Sequence, residues 1–164
     1  MQLFVIDKDP CSAAHALADC HVRMQIPETA QILTAYWVNS GFERLDWMPR
    51  PQNLNHPVAK ALNPENVGWV IEHFYGLLLQ FRDRFGKEHK YSHMAWDFEF
   101  NISMTDLGFG TAGINSFHRM FSGFTPEPGD IVNQYRQYYR WKATQIKNFK
   151  YTGVKSPEWL EVAK

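Results

Sequence analysis

The sequence predicts a mainly α protein: a compact bundle of three long helices with a minor β element and a long loop rich in glycine and phenylalanine. Three observations carry this expectation. Val67, Val70, Phe74, Leu77, Leu78, Phe81 and Phe85 recur at helical spacing. Helix-opening signals stand at Asp9–Pro10, at Asn63–Pro64 and at Asp130. Strand-like alternation is confined to "AWDFEFNISM". At 164 residues, the most economical organisation is one globular domain over residues 1–164.

Taken in order, "QLFVI" at residues 2–6 reads as a short strand or an extended, buried start. A helix opens at Asp9–Pro10 and is expected to run to Gly41, kinked at Pro27, whose ring removes the bond to the Arg23 carbonyl. Residues 42–63, with Pro49, Pro51 and Pro57, read as an irregular connection with a helical turn at "HPVAKAL". The second long helix runs from residue 64 to 85 and stops at Gly86. Trp96, Phe98, Phe100, Ile102 and Met104 alternate with smaller or polar residues and predict a strand. Residues 105–128 form the long loop, with a short helix near "NSFHRMF". Asp130 caps the last long helix, and Trp159 in "SPEWL" docks the tail.

Basic and acidic residues balance at 17 each, which argues against a general polyanion coat but allows a local basic patch. Aromatic residues make up 15% of the chain, enough to fill a core and leave rings for a ligand surface. Cys11 and Cys20, if carried on one helix, stand roughly 13 Å apart and read as free thiols in a reducing compartment. The N-terminus lacks a signal-peptide pattern and no apolar run reaches the ~20 residues that span a bilayer. A cytoplasmic protein without a membrane partner is expected; nothing in the sequence sets its oligomeric state.

Two stretches carry candidate chemistry. In "ADCHVRMQIPETAQIL" a helical stripe holds Leu17, His21, Met24 and Glu28, with Asp19 and Arg23 nearby. A carboxylate beside an imidazole on such a stripe suits general acid–base work, so Glu28, His21 and Asp19 are candidate catalytic residues. A satisfied structural pair or a solvated edge is the competing reading. Residues 131–157 contain six basic residues and no acidic one. Arg136, Arg140, Lys142 and Lys147 are candidate phosphate ligands there, and Tyr138 and Trp141 candidate base-stacking rings. The competing reading is a solvated cationic face with tyrosines in the core.

Other patterns point less far. His56, in "NHP", sits in a loop, where functional groups concentrate, or simply caps the next turn. "GFGTAG" fits the G-x-G-x-x-G string but lacks a βαβ context, and reads as a flexible loop able to cover a substrate. Asp19, His21, His56 and His73 have no spacing that forces convergence on a metal. Neither a metal nor a cofactor is expected.

Asp19-x-His21-x6-Glu28 resembles the first helix of the pyrimidine-dimer DNA glycosylases of phages and bacteria, in which the catalytic glutamate follows the histidine by seven residues. Arg23 lies between them, His56 precedes a long amphipathic helix, and "QYRQYYRWKATQIK" is similar to that family's aromatic–basic terminal helix. The opening "FVIDKDP" resembles a group of uncharacterised tailed-phage proteins. The match covers about 50 residues in three pieces. It implies a glycosylase-like hydrolase of the host-cell cytoplasm that cleaves N-glycosidic bonds of damaged or modified pyrimidines in DNA. In that reading Glu28 is the acid/base, and His21, Arg23 and His56 hold phosphate or orient the target. One departure is marked: the family uses the α-amine of a small residue 2, whereas residue 2 here is Gln2. A water activated by Glu28, or a lysine such as Lys8, would have to serve instead. Two alternatives stand beside this: an enzyme acting on free pyrimidine nucleotides, and a non-catalytic phage protein that binds nucleic acid or a host protein.

Overall fold

A computed structural model describes residues 2–161. It is mainly helical: α1 (Pro10–His15), α2 (Asp19–Asn39), α3 (Pro57–Lys60), α4 (Val67–Phe85), α5 (Met94–Ser103) and α6 (Ile131–Gln145), with 3₁₀ turns at Ile114–Ser116 and Glu158–Leu160. The expected minor β element is absent among the described residues.

The N-terminal segment is buried but pairs with no strand. Leu3, Phe4, Val5 and Ile6 are sealed in the core. Side chains take up its carbonyls from two sides: Gln25 Nε2 of α2 donates to Gln2 O at 2.6 Å, and Arg136 Nε of α6 to Ile6 O at 2.8 Å. An unpaired buried backbone group is costly, and these bonds replace a sheet ladder.

The helix expected from Asp9 to Gly41 is two helices. Asp9 caps α1 by accepting Ser12 N–H at 2.6 Å, but the helical pattern breaks over residues 16–18. Tertiary partners claim the backbone there. Arg84 donates to the His15 and Leu17 carbonyls (2.7 and 2.6 Å), the Tyr151 hydroxyl to Ala16 O (3.0 Å), and Ala18 N–H to the Tyr139 hydroxyl (2.8 Å). The break also removes the geometry assumed for Cys11 and Cys20, which are nonetheless both free thiols. α2 runs on as one helix through Pro27 and ends before Gly41, whose φ of +93° needs a residue without a Cβ.

α4 is the central element. It buries Val67, Trp69, Val70, Ile71, Phe74, Leu77, Leu78 and Phe81, and α1, α2 and α5 all pack on it. At Gly76 α1 comes so close that an added Cβ would stand 2.8 Å from Ala14 Cβ. Gly86 closes the helix at φ +65°.

Residues 96–104, read as a strand, form most of α5 and its C-cap, Met104. The alternation has a helical origin. Met94, Phe98 and Ile102 form one i, i+4 stripe that faces the core, while Trp96, Phe100 and Met104 form a second stripe that faces solvent. Two interleaved stripes offset by two residues imitate a strand period. Tyr75 of α4 fixes α5 by donating to Glu99 Oε2 at 2.8 Å.

The long loop follows, with its short helical turn a little earlier than expected, at Ile114–Ser116. Asp130 caps α6 by accepting Asn133 N–H at 2.8 Å. The closest helix packing joins α4 to α1, α2 and α5, and α2 to α3 and α5, so the expected bundle of three long helices is not what organises the core. α6 packs on the Glu158–Leu160 turn and is held by large side chains: Tyr135, Tyr138 and Tyr139, all fully buried, surround Phe4 of the N-terminal segment.

Candidate functional site around Glu28

The catalytic candidates of α2 separate into two environments. Asp19 is 3% exposed and committed. It pairs with Arg84 at 3.2 Å and accepts Thr152 N–H at 3.1 Å and Thr152 Oγ1–H at 2.6 Å. Burial opposes its ionised form, but the Thr152 and Arg84 bonds outweigh burial and hold its pKa below the usual carboxylate value. This is a structural ion pair. It locks the α1–α2 break to the segment that follows α6.

His21, 2% exposed, is sealed among rings, with Phe4, Tyr139 and Phe149 at centroid distances of 4.8, 5.1 and 5.7 Å. Its Nδ1 lies 2.8 Å from the Tyr139 hydroxyl. Burial, with the charge of Lys142 adding to it, lowers its pKa to about 4. A neutral imidazole without access to solvent has no substrate to act on. The catalytic role expected for His21 and Asp19 therefore gives way to packing.

Glu28 is different: it is half-buried at the edge of the N-terminal segment. Its Oε2 accepts the main-chain N–H of Gln2 at 3.1 Å and the Gln25 amide at 3.3 Å. The Gln25 amide also donates to Gln2 O, so both its protons face acceptors and its Oε1 is identified as the buried acceptor left without a partner. Gln2 in turn donates from Nε2 to Met120 O at 3.0 Å, which brings the long loop to the same place. One residue thus bridges the carboxylate of α2 to residues 118–120.

His56 stands at the start of α3. Its Nδ1 accepts Val58 N–H at 3.3 Å and caps the helix, so the neutral ring carries its proton on Nε2. Burial lowers its pKa. Sequence reading marked Gln2 only as a departure from the resembled family's residue 2, and did not single out Gln25, His118 or Arg119. The only local signal was a basic pair, "HR", inside an aromatic loop.

The cationic face of α6 is largely spoken for. Arg136 donates to Ile6 O and pairs with Asp7 at 2.9 Å; Arg140 donates to Trp159 O at 2.6 Å. Both guanidiniums lie over the Trp159 ring, at 5.2 and 6.0 Å. They clamp the tail. Tyr138 is fully buried between Phe4, Phe124 and Trp141, so its faces offer no stacking platform. Trp141 is half-buried and stacks on Phe124 and Tyr138. Lys142 lies 5.5 Å over the Tyr138 ring, and Lys147 is exposed. Arg23 is exposed and sits 4.0 Å over the Phe85 ring, away from the Gln2 network.

The glycine string is not a mobile cover. Gly110 N–H donates to Pro64 O at 2.7 Å, Gly68 N–H to Gly110 O at 2.9 Å, and Gly113 N–H to Glu65 O at 3.0 Å. Backbone meets backbone so closely that a Cβ on Gly110 would stand 2.6 Å from Glu65 Cα. His73, a possible ligand, is fully buried with Nδ1 on Pro10 O at 3.0 Å. No group of three His, Cys, Asp or Glu able to hold a metal occurs among the described residues. Among them, no helix is long and apolar enough to cross a membrane.

Similarity to known proteins adds nothing to this geometry. Protein-family models, curated proteins and solved structures all fail to match the chain. The site has to be read from its own residues.

Proposed function

We propose that the protein is a glycosylase-like hydrolase that cleaves the N-glycosidic bond of a damaged or modified pyrimidine in DNA, with Glu28 as its acid/base. One observation carries the reading: the Glu28 carboxylate stands 3.1 Å from the main-chain nitrogen of residue 2. In the family that the Asp19–His21–Glu28 spacing resembles, this nitrogen is the reactive amine. In this chain Gln2 follows Met1, so the nitrogen is an amide. It orients the carboxylate and leaves the attack to water.

Glu28 takes a proton from that water as its oxygen bonds to C1′, and the C1′–N bond breaks with its electron pair leaving on the base. The target nucleotide has to leave the base stack to reach a half-buried carboxylate. The catalytic group in this reading is Glu28 alone, with Gln2 and Gln25 as positioning residues. His21 and Asp19 hold the helix that carries them.

The test is a panel of duplex oligonucleotides, each with one damaged or modified pyrimidine, incubated with the protein and analysed for free base and abasic sites. Release of one base class supports the reading. If free pyrimidine nucleotides raise Tm while no duplex loses a base, the nucleotide-level alternative replaces it.

A further inference from the structure

The long loop presents His118 and Arg119 next to Met120, which Gln2 ties to Glu28, on a backbone that the core holds still. Tyr135 of α6 donates its hydroxyl proton to His118 O at 3.1 Å and accepts Met120 N–H at 3.3 Å. Gln2 Nε2 holds Met120 O from the other side. On the flanks, Phe117 is buried against the Trp69 ring at 5.5 Å and Phe121 packs on Tyr135 at 4.9 Å. Between these anchored rings the side chains of His118 and Arg119 are exposed. Flexible surface cations gain little from a bound anion because ordering them costs entropy; a pinned backbone reduces that cost.

The surroundings favour an anion. Residues 107–126 contain no aspartate or glutamate. Arg119 forms no ion pair among the described residues, whereas Arg84, Arg136 and Arg140 are all engaged. Glu28 supplies the nearby negative charge, and it is tied to Gln2 and Gln25.

We infer that His118 and Arg119 form a phosphate-holding rim on the Glu28 site. The arginine contributes a fixed charge and a forked donor, the imidazole a single N–H donor. This inference deepens the proposed function and rests on Glu28 being the working carboxylate. The phosphate can be a phosphodiester of DNA or the monoester of a nucleotide.

Both residues are exposed, so the double variant His118→Ala/Arg119→Ala is expected to keep the wild-type Tm. Its binding to a duplex carrying one modified pyrimidine is measured by anisotropy at several salt concentrations, with Lys87→Ala as an exposed charge-removing control. The double variant is expected to bind at least ~10-fold more weakly, with its log Kd–log salt slope reduced by about 1 to 2, while Lys87→Ala behaves as wild type. A nucleoside monophosphate and inorganic phosphate form the second arm. If they bind through His118 and Arg119 and the duplex does not, the rim stands and its ligand is a monoester. A double variant within twofold of wild type for every ligand overturns the inference, even where base release persists. Loss of binding in the double variant, with no base released from any duplex by the wild type, removes the glycosylase reading and leaves the phosphate site.

Discussion

The Tyr139 hydroxyl joins α6 to α2: it accepts Ala18 N–H at 2.8 Å and lies 2.8 Å from His21 Nδ1. A hydroxyl accepts two bonds and donates one, so Tyr139 can serve the Ala18 N–H and the neutral His21 ring at once. Tyr139→Phe removes both bonds in a core that admits no water to replace them. The expected loss is about 1–3 kcal/mol of unfolding free energy by urea titration. Binding and chemistry at Glu28 should survive, because none of Gln2, Gln25 or Met120 touches Tyr139 in the hydrogen-bond network.

Acid should destabilise the protein well before its carboxylates titrate. Burial holds His21 and His73 at pKa values of about 4, well below the ordinary imidazole value of 6.5. Between these values the unfolded chain binds the protons and the native chain does not, so stability is full above pH 6.5 and falls toward pH 4. Two such groups give a slope of about 2 kcal/mol per pH unit near pH 5. Asp19, with its pKa lowered, adds its loss only below 3.8. Urea midpoints from pH 7 to 4.5 measure this, and replacing His73 by Gln should reduce the slope by about half.

Breaking the buried ion pair should cost more than either loss. Asp19→Ala leaves the Arg84 guanidinium, with a fully buried side chain, without its carboxylate, and strips Thr152 of its acceptor. About 3–5 kcal/mol is expected, because the remaining charge stays desolvated. Asp19→Asn keeps an acceptor and should recover part of it. The comparison by chemical denaturation separates a structural role from a catalytic one: base release by Asp19→Asn below its Tm should stay near wild type.

Gly110→Ala should detach the glycine string. A Cβ there meets Glu65 backbone at 2.6 Å, which no side-chain movement relieves. Amide exchange at Gly68 and Gly113 should quicken first, since their bonds to Gly110 O and Glu65 O depend on that contact.

Local signals in the sequence predict much of this fold and less of its site. The Asp9–Pro10 and Asp130 caps, the α4 stripe and the stops at Gly41 and Gly86 are encoded within one or two turns, and the structure has them, whereas α4 opens at Val67 and not at Asn63–Pro64. The α1–α2 break was not legible, because its donors, Arg84, Tyr139 and Tyr151, lie far along the chain. Nor was α5: Trp96, Phe100 and Met104 are exposed, and periodicity cannot separate an exposed apolar stripe from a buried one. Cationic composition placed Arg136 and Arg140 on a ligand face, while Trp159, outside the helix, decides their use. Spacing singled out Glu28 as a candidate. Its partners Gln2 and Met120 come together only through the folded N-terminal segment and loop.

A single-turnover comparison of wild type with Glu28→Gln on duplex carrying the base that the wild type releases probes the role of Glu28 at its source. Glutamine retains an acceptor for the Gln2 N–H but cannot take a proton from water. The prediction is a rate of base release lowered by about 10²–10⁴-fold, with duplex Kd and Tm close to wild type. Base release at the wild-type rate by Glu28→Gln would contradict it.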